Sequence, residues 1–312
     1  MPTSPTTALV VKSPVDVLVA AFLSSRTPAT LKAYSADLKC FATWSGSLTS
    51  GDAAAKLLGA GAGPANAACV AYRTHLSGLG LSPATINRRL AALRSLVKLA
   101  RSFGQVGWFL EVQGPRGESY RNTLGPGRDG VRLLLAQLGG DGPAHCRDRA
   151  ILRLLYDLGL RRAEVVGLDV VDVGPEACSV QILGKGRTQK ETLTCPAPTA
   201  TAVQAWLATG IPVNGGPLFV ALDRAHRGGR LAGHAVYRIV RELGEAVGIR
   251  ARPHGIRHSA ITRALDLTGG NVREAARFSR HKNVNTLMRY DDRRRDDAGA
   301  IAGKLAGDMD QA

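Results

Sequence analysis

Arg161, Lys185, His254, Arg257, His281 and Tyr290 are the residues whose types and order could do chemistry together. They are the groups that a reaction at a phosphodiester needs. Such a reaction requires a nucleophile in line with a leaving oxygen. It requires donors on the non-bridging oxygens, where charge develops, and a proton source for the leaving oxygen. A Tyr hydroxyl can attack. Arg suits the second task, because its planar fork holds two phosphate oxygens at once. Lys or His can fill the third.

These residues sit in four segments. The first is Gly159-Leu160-Arg161-Arg162-Ala163-Glu164, which follows one helical pattern and opens another. The second is Gly184-Lys185-Gly186, with the chemistry of a hairpin turn. The third is His254-Gly255-Ile256-Arg257-His258. The fourth runs from His281 to Tyr290. The intervals are 24 residues from Arg161 to Lys185, 69 to His254, 3 to Arg257, 24 to His281 and 9 to Tyr290. Taken singly the pieces are ordinary: Gly-Lys-Gly is a common turn, and a lone Tyr is usually a half-buried packing residue. The ordered set, placed on suitable elements, is specific.

That ordered set resembles the catalytic residues of the tyrosine recombinases, the phage integrase family. The resemblance is strongest from Arg147 to Asp292 and extends more weakly over the first half of the chain. It implies that Arg161 and Arg257 grip a scissile phosphate. Lys185 would protonate the departing 5′ oxygen, His254 would assist proton transfer, and His281 would donate to a phosphate oxygen. Tyr290 would attack, leaving a 3′-phosphotyrosyl link that a 5′ hydroxyl from a partner strand reverses. The covalent link conserves the phosphodiester energy, so the resemblance implies neither cofactor nor metal. Glu164 and His258 match supporting positions: Glu164 would orient the arginine or cap the next helix, and His258 would be structural. The implied activity is site-specific DNA recombination, with integration or excision of a mobile element. The implied partners are double-stranded DNA, a homo-tetramer on two recombination sites and, as an optional class, accessory DNA-bending proteins.

Alternatives stand beside several of these residues. Arg162 adjoins Arg161, and the Gly-Leu-Arg match favours Arg161. Lys190 is a second candidate for the proton donor, because hairpin lengths vary. The chain also departs from the family pattern. Gly255 stands where Asp is common, and Arg280 stands where Gly is common before the later His. Neither position supplies catalytic atoms, and Arg280 becomes a candidate DNA contact. Asp291, Asp292, Arg293, Arg294 and Arg295 read as a solvated charge run.

The elements that must position these groups are mostly helices. Helical spacing is present from Pro14 to Phe22 and after Thr27-Pro28, where Thr27 caps. It returns from Pro64 to Leu76 and after Ser82-Pro83. The last of these carries Ile86, Leu90, Leu93, Leu96 and Val97 on one face. It also carries Arg88, Arg89, Arg94 and Lys98, which are candidate DNA contacts. A long helix is expected over Arg147 to Leu158. Short strands are expected at 170–173, Ser179 to Leu183 and Glu191 to Thr194, with helix again after Pro198. Ile301, Leu305 and Met309 lie four apart, an apolar helical face. In the family such a helix docks on a neighbouring protomer; the alternative is packing on its own domain. The expected fold is mainly α with a small antiparallel β-sheet. Its expected parts are a disordered tail at 1–12, a helical core-binding domain at 13–106, a glycine-rich basic linker at 107–130 and a catalytic domain at 131–312.

Charge narrows the partner. Lys plus Arg number 41 against 25 Asp plus Glu, a net charge of +16. Such an excess favours a polyanion, since cations that neutralise phosphates release condensed counterions. An anionic membrane surface is the rival, but no apolar run is long enough to span a bilayer and no lipidation signal is present. The five cysteines are scattered, with no C-x-x-C pair, so no metal site or disulfide framework is implied. Reduced thiols fit a cytoplasmic protein, and the DNA partner that the resemblance implies would make it nucleoid-associated. Three other activities compete. A type IB topoisomerase shares the chemistry, but the helical first half argues against it. A recombinase-like protein that only binds DNA predicts loss of catalytic types, and none is lost. An RNA-binding protein is disfavoured, because aromatics are only 5% and no aromatic strand platform is present.

Overall fold

The computed structural model of the chain describes residues 14–24, 28–115, 125–184, 186–281, 287, 299, 302–303 and 306–308. Two compact units divide the chain, Met1–Ser119 and Tyr120–Ala312.

The first unit is helical among its described residues. Its elements are α1 (Pro14–Ser24), α2 (Pro28–Trp44), α3 (Ser50–Gly59), α4 (Ala62–Gly78) and α5 (Pro83–Ser102). Helix α5 starts where local chemistry starts it. Pro83 needs no N–H partner in the first turn, and the Ser82 hydroxyl accepts from the Thr85 N–H. Ile86, Leu90, Leu93, Leu96 and Val97 then form one buried face. Helix α3 was not expected from the sequence. Its signal is Thr49 with Asp52, whose side chains and backbone N–H groups satisfy each other in a capping box at 3.0 Å. Phe41, Trp44 and Tyr72 meet in tilted and edge-to-face arrangements at ring separations of 5.0 to 5.7 Å.

The segment 107–115 belongs to this unit rather than hanging free. Leu110 and Val112 are buried in its core. Arg73 donates to Gln113 O and Arg94 to Val112 O, each at 2.8 Å, and Asn66 accepts from Glu111 N at 2.8 Å. Two apolar anchors and satisfied backbone groups explain why a stretch near so many glycines is ordered. Residues 116–124, the rest of the basic glycine-rich stretch before Gly125, lie outside the described residues.

The second unit has helices α6 (Gly127–Ala136), α7 (Pro143–Asp157), α8 (Arg162–Val166), α9 (Ala197–Leu207), α10 (Gly233–Ala246), α11 (Pro253–Leu267) and α12 (Val272–Ser279). Strands β1 (Ser179–Leu183) and β2 (Lys190–Thr194) form one antiparallel hairpin, registered from Ser179 opposite Thr194 to Leu183 opposite Lys190. Val180 and Ile182 point into the core and Gln181 and Leu183 point out, as a pleat requires. Thus the fold is mainly helical with one small antiparallel sheet.

Two sequence expectations change here. The strand expected at 170–173 is a 3-10 turn, Val170–Asp172, with only Val173 bridged to Val180. Asp172 accepts from the Asp169 N–H at 3.0 Å, so a side chain takes the place of a ladder partner. The run after Pro198 is not continuously helical. Residues 208–232, rich in Gly and Pro, form a loop with an isolated bridge between Val220 and Arg230. The indole of fully buried Trp206 donates to Leu218 O at 2.7 Å and ties this loop to the core.

Helix α11 is the centre of the unit. Pro253, the run from Gly255 to Ile261, and Leu265 are all buried. Its first two turns therefore run largely inside the unit and carry Arg257 and His258 there, while His254 stays exposed in the first turn. Among the described residues no helix is long and apolar enough to cross a membrane.

Candidate active site

Helix α7 ends at Asp157, and Gly159 turns the chain with φ +54°. The positive φ favours glycine, and a Cβ at Gly159 would stand a tight 3.1 Å from the Phe278 ring. Leu160 is fully buried and anchors the turn. Arg161 then caps α8 with extended backbone.

Glu164 meets Arg161 twice. Its Oε2 accepts from the Arg161 backbone N–H at 2.8 Å, and its Oε1 accepts from the guanidinium at 2.7 Å. The carboxylate thus caps the helix and orients the arginine together. Burial pushes the Glu164 carboxyl up. The Arg161 hydrogen bonds, with the Arg280 and Arg161 charges, more than offset this and hold it below the usual carboxylate range. Arg162 is exposed, while Arg161 is half-buried and turned to the carboxylate.

Arg257 rises from α11 and is only 2% exposed. Its guanidinium donates to the carbonyls of Gly159 and Ser279, so it spans the ends of α7 and α12. Those two acceptors are neutral, so they orient the charge without cancelling it. Its effect is felt by two histidines. His254, in the first turn of α11, keeps an open face to solvent. Enclosure by its surroundings first, then the Arg257 and Arg161 charges, hold it below its ordinary range. His281 is pushed down to about 4 by desolvation first, then by Arg257, Arg161, Arg280 and His254. Its Nδ1 lies 2.8 Å from the Ser279 hydroxyl. Both imidazoles are therefore neutral at neutral pH. His258 is buried behind them, 3.4 Å from the Thr262 hydroxyl.

Arg280, which the sequence offers as a candidate DNA contact, is turned inward here, with its side chain only 5% exposed. Its guanidinium donates to the carbonyls of Leu158, Gly159 and Phe278 at 3.1 Å and to Glu164 Oε2 at 3.2 Å. Arg280 also holds the left-handed cap of α12, φ 54° and ψ 39°. That conformation costs a non-glycine residue about 1–2 kcal/mol, which the inward contacts offset.

So the structure brings Arg161, Glu164, His254, Arg257, His281 and Arg280 to one place. Lys185 and Tyr290 lie outside the described residues, as do Ile301, Leu305 and Met309. The other lysine of the hairpin, Lys190, pairs with Asp172, a carboxylate only 4% exposed. In the first unit the basic stripe of α5 is partly engaged. Arg88 pairs with buried Asp37 at 2.5 Å, Arg89 lies 3.9 Å from it, and Arg94 holds Val112 O, while Lys98 is exposed. Ser279 is a site residue the sequence reading missed. It joins Arg257 to His281 through a carbonyl and a hydroxyl, and backbone acceptors leave no sequence signal. Among the described residues no group of three His, Cys, Asp or Glu is placed to hold a metal ion.

The model of the phage integrase family matches residues 128–296. A tyrosine recombinase of Synechocystis sp. is 41% identical over 296 residues, covering 93% of this chain and 95% of that protein. The tyrosine recombinase XerD of Mycobacterium tuberculosis is 34% identical over 220 residues, covering 67% of this chain and 70% of that one. A crystal structure of a lambda integrase dimer bound to a core site superposes with a TM-score of 0.65 at 14% identity, covering 89% of this chain and 95% of that one.

Proposed function

The chain belongs to the phage integrase family, the tyrosine recombinases, and from that premise we propose that it cuts and rejoins DNA at specific sites through a 3′-phosphotyrosyl intermediate. The observation that carries this reading is the convergence of Arg161 and Arg257 around the turn at Gly159, with His281 held on Ser279 and His254 in the first turn of α11 beside them.

The arginines bind the non-bridging oxygens of the scissile phosphate, whose charge grows as the transition state forms. The Tyr290 hydroxyl attacks phosphorus. An isolated tyrosine has a pKa of about 10, so its proton must leave during attack. Neutral His254 is the acceptor within the site. The bond from phosphorus to the 5′ oxygen breaks, and that oxygen takes a proton from Lys185. His281 donates to a phosphate oxygen. Attack by a 5′ hydroxyl on the phosphotyrosyl bond runs the same steps in reverse and releases Tyr290. The substrate is double-stranded DNA, the assembly is a tetramer on two sites, and the use is integration or excision of a mobile element. The net charge of +16 supports a DNA partner.

The test is covalent capture. Purified protein is mixed with fragmented DNA from its source and quenched with detergent, and protein-linked DNA is recovered and its ends sequenced. Adducts at a 3′ phosphate that vanish in Tyr290→Phe are expected. DNA binding without any adduct would overturn the reaction and leave a binding protein.

A further inference from the structure

A guanidinium paired with a carboxylate presents little net charge to a third group. Arg161 is so paired, and Glu164 is buried, where solvent does little to screen the pair. Arg280 changes the balance. Its Nη2 reaches Glu164 Oε2 at 3.2 Å, so one carboxylate faces two guanidinium groups. The other hydrogen-bond partners of Arg280 are carbonyls of Leu158, Gly159 and Phe278, which are neutral, and the Glu191 carboxylate, the weakest charge acting on it, is itself paired with Arg187. Arg161, Glu164 and Arg280 therefore sum to one positive charge rather than none. The Arg161 side chain is 28% exposed and that of Arg280 only 5%, so the surplus is presented at Arg161.

We propose that Arg280 is a positioning residue for the reaction. It neutralises Glu164 from the buried side, so that Arg161 stays aligned on that carboxylate while its charge remains available to the scissile phosphate. This rests on the recombinase reading above. The backbone makes the idea testable. Arg280 occupies a left-handed cap where glycine is the unstrained residue, so Arg280→Gly removes the guanidinium and keeps the turn.

Covalent adduct formation is measured on the duplex recovered by capture, for the wild type, Arg280→Gly, Glu164→Gln and the double variant. Arg280→Gly is expected to slow adduct formation about 10- to 100-fold, as misplacement of a catalytic group does, while DNA affinity stays within about twofold. On the Glu164→Gln background there is no carboxylate to neutralise, so the same substitution is expected to cost far less. A wild type that forms no adduct removes the recombinase reading itself. Wild-type adducts with an equal Arg280→Gly defect on both backgrounds, or with no defect at all, overturn the role of Arg280 alone. Loss of DNA binding in step with cleavage would make Arg280 a DNA contact and also overturn it. Should Glu164→Gln fail to fold, guanidinium ion added to Arg280→Gly decides: restored cleavage supports the role, and unchanged cleavage overturns it.

Discussion

Arg161 is held by Glu164 through two different groups, the backbone N–H at 2.8 Å and the guanidinium at 2.7 Å, each on its own carboxylate oxygen. One side chain thereby fixes both the start of α8 and the direction of an active-site arginine.

Replacing Glu164 by alanine removes both bonds and leaves Arg280 buried without its counter-charge. Breaking a buried pair from one side costs about 3–5 kcal/mol, and the partial exposure of Arg161 places this case at the lower end. Chemical denaturation should show that loss. Wild-type stability in Glu164→Ala would mean that the pair does not brace the turn.

Gly159→Ala tests the turn from the other side. The substitution forces a side chain into φ +54° and sets its Cβ 3.1 Å from Phe278. The conformational part alone costs about 1–2 kcal/mol. Because Gly159 O anchors both Arg257 and Arg280, cleavage should fall more than the melting temperature suggests. Parallel loss of the two would reduce Gly159 to a stability element.

Acid should weaken the second unit. An unfolded histidine titrates near 6.5, whereas His281 in the folded chain is pushed down to about 4. Between those values the unfolded chain binds the extra proton, so stability falls as pH drops across the window. Partial exposure limits the effect to about 1–2 kcal/mol. Glu164, held low, loses its contribution only further into acid. Melting temperature followed against pH should fall less steeply in His281→Gln than in the wild type; equal slopes would refute the assignment to His281.

The two hairpin lysines should separate cleanly. Lys185→Ala is expected to slow cleavage about 10²- to 10⁴-fold, the usual range for losing a general acid. A substrate whose 5′ leaving oxygen is replaced by sulfur should restore the rate, since a thiolate leaves without protonation. Lys190→Ala should instead lower stability, because buried Asp172 loses its partner. Rescue by sulfur in Lys190→Ala would exchange the two roles.

The sequence by itself determined the order of the chemical groups and most of the helices. Capping chemistry at Ser82-Pro83, apolar spacing along α5 and the turn residues of the hairpin are local, so they are legible in a short window. The strand expected at 170–173 was decided otherwise, because Asp169 and Asp172 satisfy that backbone in a turn. Tertiary structure alone decided what the charges do. Arg280 reads as one more surface cation until α11, packed on both α7 and α12, brings the end of α12 to the turn after α7, where its guanidinium finds Glu164 and three carbonyls. Arg88 likewise reads as part of a basic stripe until α2 brings buried Asp37 beside it. Burial and distance between residues far apart in the chain set these outcomes, and neither quantity is written in composition or spacing.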